Sequence, residues 1–268
     1  MRTLMTLVLV LTASAASAQT PSASAQTRSL FIEELTWPEI RDAQAAGKTS
    51  AVIVAGGIEQ NGHHMALAKH NVIARYVGGQ IAERLGNALV YPVVPFSMAG
   101  DPIEKTGHMR LPGTITLPSE VFLGVIRGVA LSAISAGFKN VYVLGDHGGG
   151  QSELRLAAET LDADWRNKGV HVYYISNAGA GQKVNAYLAE RKIAPGGHAG
   201  VAESAQVMFL DQQKLMRKDK YPVAAAGPES ATGSNGDPAL GTVEMGKVFL
   251  DIKVTDAVEQ IRKVSTAK

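Results

Sequence analysis

The 268-residue chain has no cysteine, so no disulfide braces it, and any metal site it builds must use nitrogen and oxygen donors. It also lacks a dominant charge. Its 26 Lys and Arg against 24 Asp and Glu leave a formal net charge of +2, and no dense basic cluster interleaves with aromatics, which argues against a nucleic-acid partner. No apolar run approaches the roughly 20 residues a membrane-spanning helix requires. No segment repeats, and the Gly-x-Ser-x-Gly elbow of serine esterases is absent. Apolar residues make up 46% and charged residues 19%, the balance of a soluble domain with its own core.

Residues 1–18 carry the regions of a secretory signal. Met1-Arg2 is a positive start, residues 4–11 are apolar except Thr6, and Ala16-Ser17-Ala18 is a small-x-small cleavage site. Residues 19–29, rich in Ser, Ala, Thr and Gln, read as a disordered leader, and residues 30–268 as a single domain. The expected location is the periplasm or the medium, with no membrane tie after cleavage.

Buried-strand patterns at residues 51–55, 89–94, 141–144 and 170–175 alternate with helical periodicity at 71–85, 118–136, 152–168, 182–191 and 202–216. A last helix is expected from Pro238, capped by Asp237. That order predicts an α/β sandwich with a mostly parallel sheet. Residues 97–116 and 224–236, interrupted by Gly and Pro, read as loops, either over a site or plain surface.

Three fragments set His or acid beside glycine at the ends of these strands or the starts of helices: Glu59-Gln60-Asn61-Gly62-His63-His64 with His70 following, Asp146-His147-Gly148-Gly149-Gly150, and His198-Ala199-Gly200-Val201-Ala202-Glu203. Open α/β sheets bind ligands at the carboxyl ends of their strands, and tight glycine turns can aim polar ligands there. His147 fits a neutral imidazole ligand, with Asp146 as a further ligand or as its orienting partner. The alternatives are structural: His147 capping a turn, and Glu203 as a solvated first-turn acid favoured by the helix dipole. Asn177-Ala178-Gly179-Ala180-Gly181 lacks the third glycine and terminal acid of a dinucleotide loop. Taken together the fragments point to a metallohydrolase.

In order and spacing the fragments resemble those of the creatininase family of metal-dependent amidohydrolases, whose pattern runs Glu-Gln-His-Gly-x-His with a following Asp, then Asn-Gly-His-Gly-Gly-Asn, then His-Ala-Gly-x-x-Glu. Leu111-Pro112-Gly113-Thr114-Ile115 and Gly236-Asp237-Pro238 also match family segments, and the similarity runs from about Leu35 onward. The resemblance implies an α/β/α three-layer sandwich, a homo-oligomer that is often a hexamer, and a pair of divalent ions, zinc or manganese. Two positions depart from it: Asn61 stands where the family has a ligating His, and His70 where it has the Asp that bridges the two ions. Asn is a poor transition-metal ligand, and one imidazole nitrogen cannot bridge two ions as a carboxylate does. One ion is therefore expected in place of two, held by Glu59, His70 and His147, with Asp146, His64 and Glu203 as further ligands or partners.

The expected activity is hydrolysis of a carbon–nitrogen bond in a small amide. Glu203 is the expected proton acceptor, and His198 or His64, helped by the amides of residues 148–150, would stabilise the oxyanion. Two rivals are a metal-dependent lactonase and a non-catalytic small-ligand-binding protein on the same fold.

Overall fold

A computed structural model describes residues 28–210 and 214–266. The expected signal segment, and the expected leader up to residue 27, lie outside the described residues. Four strands form one parallel sheet in the order β2-β1-β3-β4: β1 (Ser50–Ala55), β2 (Ala88–Val90), β3 (Asn140–Gly145) and β4 (His171–Ile175). Each strand reaches the next through a helix, as parallel pairing demands.

The helices are α1 (Trp37–Ala45), α2 (Lys69–Leu85), α3 (Ser119–Ser135), α4 (Gln151–Trp165), α5 (Ala178–Glu190) and α6 (Val201–Leu210), followed by the short α7 (Tyr221–Ala225) and α8 (Glu229–Thr232) and the long α9 (Val243–Thr266). Strand side chains alternate between two cores, which gives the three layers. Val52, Val54, Tyr142 and Leu144 pack with α2, α6 and α9 on one face. Ala51, Ile53, Val141 and Val143 pack with α3 and α4 on the other. β1 is buried along its whole length, the mark of a central parallel strand.

Three element boundaries differ from expectation. β2 stops at Val90, because Pro92 cannot donate to a ladder; Val94 alone rejoins β1 through a bridge to Ala55. α6 is described only as far as Leu210, and residue 214 is already in a turn. The last helix begins at Val243. Pro238–Leu240 is a separate 3-10 turn capped by the Asp237 carboxylate, and Gly241 leaves it in an extended conformation.

Candidate active site

β1 and β3 are neighbours in register, Ala55 against Gly145, so the turns that follow them emerge side by side. The first carries Glu59 and the second Asp146 and His147. α2 opens beneath them with Lys69 and His70, α6 opens with Glu203 just after His198, and α9 passes Lys253 alongside. The loop over residues 97–116 closes across this edge and brings in His108. It is pinned locally: His108 N–H donates to Ala99 O (2.9 Å), and Thr114 Oγ1 donates to His108 O (2.9 Å) while accepting from Gln60 N–H (3.0 Å). Gly100, at φ +127°, lies so close to Thr106 that a Cβ there would collide with the Thr106 carbonyl. Glu59, His70, His108, Asp146, His147, His198 and Glu203 line an open cleft of about 370 Å³.

Glu59 is the node, 1% exposed. Its Oε2 accepts from His147 Nε2 at 2.5 Å and lies 3.3 Å from His108 Nε2. Its Oε1 accepts from Lys69 Nζ at 3.0 Å and His70 Nε2 at 2.8 Å. Lys69 also donates to Glu203 Oε2 at 2.5 Å, and Lys253 donates to Asp146 Oδ1 at 2.5 Å. His70 Nδ1 donates to Asp146 Oδ2 at 2.6 Å. With a carboxylate oxygen at each ring nitrogen, His70 satisfies both only as the imidazolium.

The ionisation states follow from these contacts. Burial alone would raise the Glu59 carboxyl, but Lys69 and the hydrogen bonds from His147 and His70 hold it far below the usual carboxylate range. Asp146 is likewise depressed against its burial, by Lys253 and His70. Glu203, also opposed by burial, is brought down to about 2 by Lys69, His70 and His198. Burial and the Lys69 charge push His70 down, and its hydrogen bonds to Asp146 and Glu59 outweigh them, so its pKa rises. Lys69 is raised, because Glu203 and Glu59 overcome the cost of burial. Burial and Lys69 depress His198 to about 4, and burial also lowers His108.

Among the described residues, the donor atoms of Glu59, His108 and His147 lie within 4.8 Å of one another, two imidazoles and a carboxylate. That donor set suits one divalent ion with an open position. His147 Nδ1 accepts from Gly149 N–H (2.9 Å) or, in the other tautomer, donates to Gly149 O (3.4 Å); ligation through Nε2 requires the second. Glu59 Oε1 and Glu203 Oε2 share the Lys69 ammonium, and Asp146 is taken by Lys253 and His70. Asn61 is fully buried; its Nδ2 donates to the Glu59 and Ala66 carbonyls, and its Oδ1 has no hydrogen-bond partner among the described residues.

Of the residues singled out in the sequence, Glu59, His70, Asp146, His147, His198 and Glu203 all line the cleft. His70 is there as a double donor to carboxylates, and His108 stands in the third ligand position expected for it. His64 is not in the cleft. It is fully buried, with Nε2 3.0 Å from Ser204 Oγ, an edge-on contact to Tyr221, and a pKa lowered by burial to about 4. Gly149 N–H is engaged by His147, which removes it as a free oxyanion donor. Glu203 does sit in the first turn of α6, yet it also accepts from Ala199 N–H (2.6 Å) and Lys69.

Sequence reasoning missed Lys69, His108 and Lys253, although each left a signal. Lys69 puts a cation in the first turn of α2, the end where the helix dipole disfavours one. His108 is the histidine of the loop expected over the site. Lys253 follows Phe249 and precedes Ala257 by four residues, and so falls on the buried stripe of α9.

A family model described as Creatininase, creatinine amidohydrolase, matches residues 33–261. The creatinine amidohydrolase of Pseudomonas putida is 23% identical over 256 residues, 88% of this chain and 98% of that protein. A mycofactocin precursor peptide peptidase of Mycobacterium ulcerans is 25% identical over 250 residues, 85% of this chain and 86% of its own. A solved creatinine amidohydrolase (creatininase) superposes with a TM-score of 0.70 at 22% identity, over 90% of this chain and 100% of that one. A mutant creatininase of Zn-Zn type gives 0.71 at 22% identity, and a manganese creatininase 0.69 at 23%, each over 88% of this chain and 98% of the other. At these identities the structural likeness establishes the fold.

Proposed function

The chain belongs to the creatininase family, and from that premise we propose that it is a metal-dependent hydrolase of a carbon–nitrogen bond in a cyclic amide or a peptide-like linear one. One observation carries the reading: Glu59, His108 and His147 converge their donor atoms at an open cleft. An ion held by these three would polarise the amide carbonyl and lower the pKa of its water toward neutrality. The named activities of the relatives, on creatinine and on a precursor peptide, support amides as the substrate class.

The protein's own groups have distinct tasks. Glu203, kept ionised by Lys69, accepts the proton of the attacking water and passes it to the leaving nitrogen. His198 is neutral near pH 7, and its ring packs 4.1 Å from that of His108. Its Nε2–H donates to Gln60 O at 2.7 Å, so the oxyanion role proposed for it requires that bond to be released. Lys253 and Asp146 fix the orientation of His70, which in turn fixes Glu59. The same chemistry serves a lactone.

The test is hydrolysis of a panel of cyclic amides, short peptides and lactones, with and without chelator. Amide turnover that a chelator abolishes and zinc or manganese restores is expected. One observation favours the rival binding protein: three carboxylates, Glu59, Asp146 and Glu203, already face Lys69, Lys253 and His70. Tight binding of a small amide with no turnover under any metal would establish that rival. Export, from the N-terminal sequence, and assembly into a homo-oligomer, from the family, belong to the same proposal. Cell fractionation and light scattering test them.

A further inference from the structure

We propose that the Lys69 ammonium does the work of a second metal ion, bridging Glu59 and Glu203 as a built-in cation and limiting the cleft to one divalent ion. The inference rests on the reading above that the cleft holds a metal.

Lys69 is completely buried, with its ammonium in contact with Glu59 Oε1 at 3.0 Å and Glu203 Oε2 at 2.5 Å. These are carboxylate oxygens from two different turns at one sheet edge, the arrangement that would otherwise hold a divalent ion. An ammonium is a compact point charge with three donors, so it bridges two carboxylates as a small cation does. The groups around it agree. Asn61, in place of a charged or imidazole ligand, donates its Nδ2 to the Glu59 and Ala66 carbonyls. His70 lies 2.8 Å from the same Glu59 oxygen and donates its other nitrogen to Asp146. An ion entering between Glu59 and Glu203 would meet a fixed positive charge in its own position. Among the described residues the opposite oxygen of Glu59 meets His147 and His108, imidazoles that can ligate through Nε2 once that nitrogen is deprotonated. Lys69 is thus a positioning residue: it holds Glu203 and orients Glu59 without contacting the substrate.

Native mass spectrometry and elemental analysis across a zinc titration test the proposal, on the full protein and on Lys69→Met, which keeps the chain length and removes the charge. The wild type is expected to saturate at one ion per chain and Lys69→Met to take up one more. Because the variant takes from two buried carboxylates the cation they share, it is also refolded with and without zinc and followed by circular dichroism. Folding recovered only with zinc would be the same gain in another form. A variant that holds no additional ion, or that zinc cannot fold, would overturn the proposal. Two ions in the wild type would overturn it too, while leaving the hydrolase reading intact. No ion in the wild type but one in Lys69→Met would do the reverse.

Discussion

The two oxygens of the Glu59 carboxylate face different chemistry across a single side chain. Oε2 meets His147 and His108, imidazoles able to give a lone pair to a metal. Oε1 meets Lys69 and His70, donors that carry their own charge. A metal can be removed or exchanged, whereas an ammonium on a buried side chain is present whenever the chain is folded. One half of the cleft is therefore chemically adjustable and the other is preset by the sequence. The difference shows how a site can keep the charge pattern of a two-cation centre while its composition changes.

Breaking the node should have the largest effect. Glu59→Gln removes the charge that both halves share, and truncating one member of a buried ion pair typically destabilises by about 3–5 kcal/mol. Turnover should become undetectable and the thermal midpoint should fall sharply; a calorimetric scan beside an amide assay reads both. Retained activity would show that the two halves do not share Glu59.

The ligand half comes next. His108→Ala and His147→Ala should each weaken zinc binding by at least the roughly 10–100-fold that follows loss of a residue supporting a ligand. Lys253→Met should leave zinc affinity within a few-fold of wild type, because it acts on Asp146. Competition with a fluorescent chelator measures all three. Equal losses in His108→Ala and Lys253→Met would erase the distinction between the halves.

Acid unfolding should separate neutral imidazoles from ion-paired carboxylates. In the folded state His64 and His198 stand at about 4, below the ordinary 6.5, so the unfolded chain takes up protons first. Chelated protein should lose stability through these two groups as the pH falls from about 6.5 toward 4, at up to about 1.4 kcal/mol per pH unit for each, whereas His70, whose pKa is raised, loses its contribution as the pH rises above about 6.5. Glu203, at about 2 against an ordinary 4.5, adds a separate loss between roughly pH 4.5 and 2. His64→Gln should shrink the upper step alone, as urea midpoints across pH would show. An unchanged profile in that variant would contradict the assignment.

The smallest effect should come from an exposed pair. Arg84→Ala breaks the contact with Asp251 on the helix surface, where such pairs contribute about 0–1 kcal/mol. A shift comparable to that of Glu59→Gln would mean that burial is not what separates the two kinds of pair.

The layers and the sheet edge were legible because β-branched runs such as residues 51–55 and the helical spacing of residues 71–85 are local signals. Glu59 and His147 were legible as cleft residues because they sit on glycine-flanked turns, and Glu203 because it opens a helix just after His198-Ala199-Gly200, all in family order. Less visible were the residues whose meaning depends on what a distant element brings. Lys69 reads as an ordinary surface lysine until α6 sets Glu203 against it, 134 positions later. His108 gains its place only when Thr114 ties its loop to Gln60. His64 misled for the same reason: its neighbours in sequence are site residues, but its side chain packs against Ser204 and Tyr221.

The most direct measurement is anomalous X-ray scattering at the zinc edge from crystals of the wild-type protein grown with excess zinc. A single peak within ligand distance of Glu59 Oε2, His108 Nε2 and His147 Nε2, with Lys69 still between Glu59 and Glu203, is the predicted result. A peak between Glu59 Oε1 and Glu203 with Lys69 displaced would contradict the account.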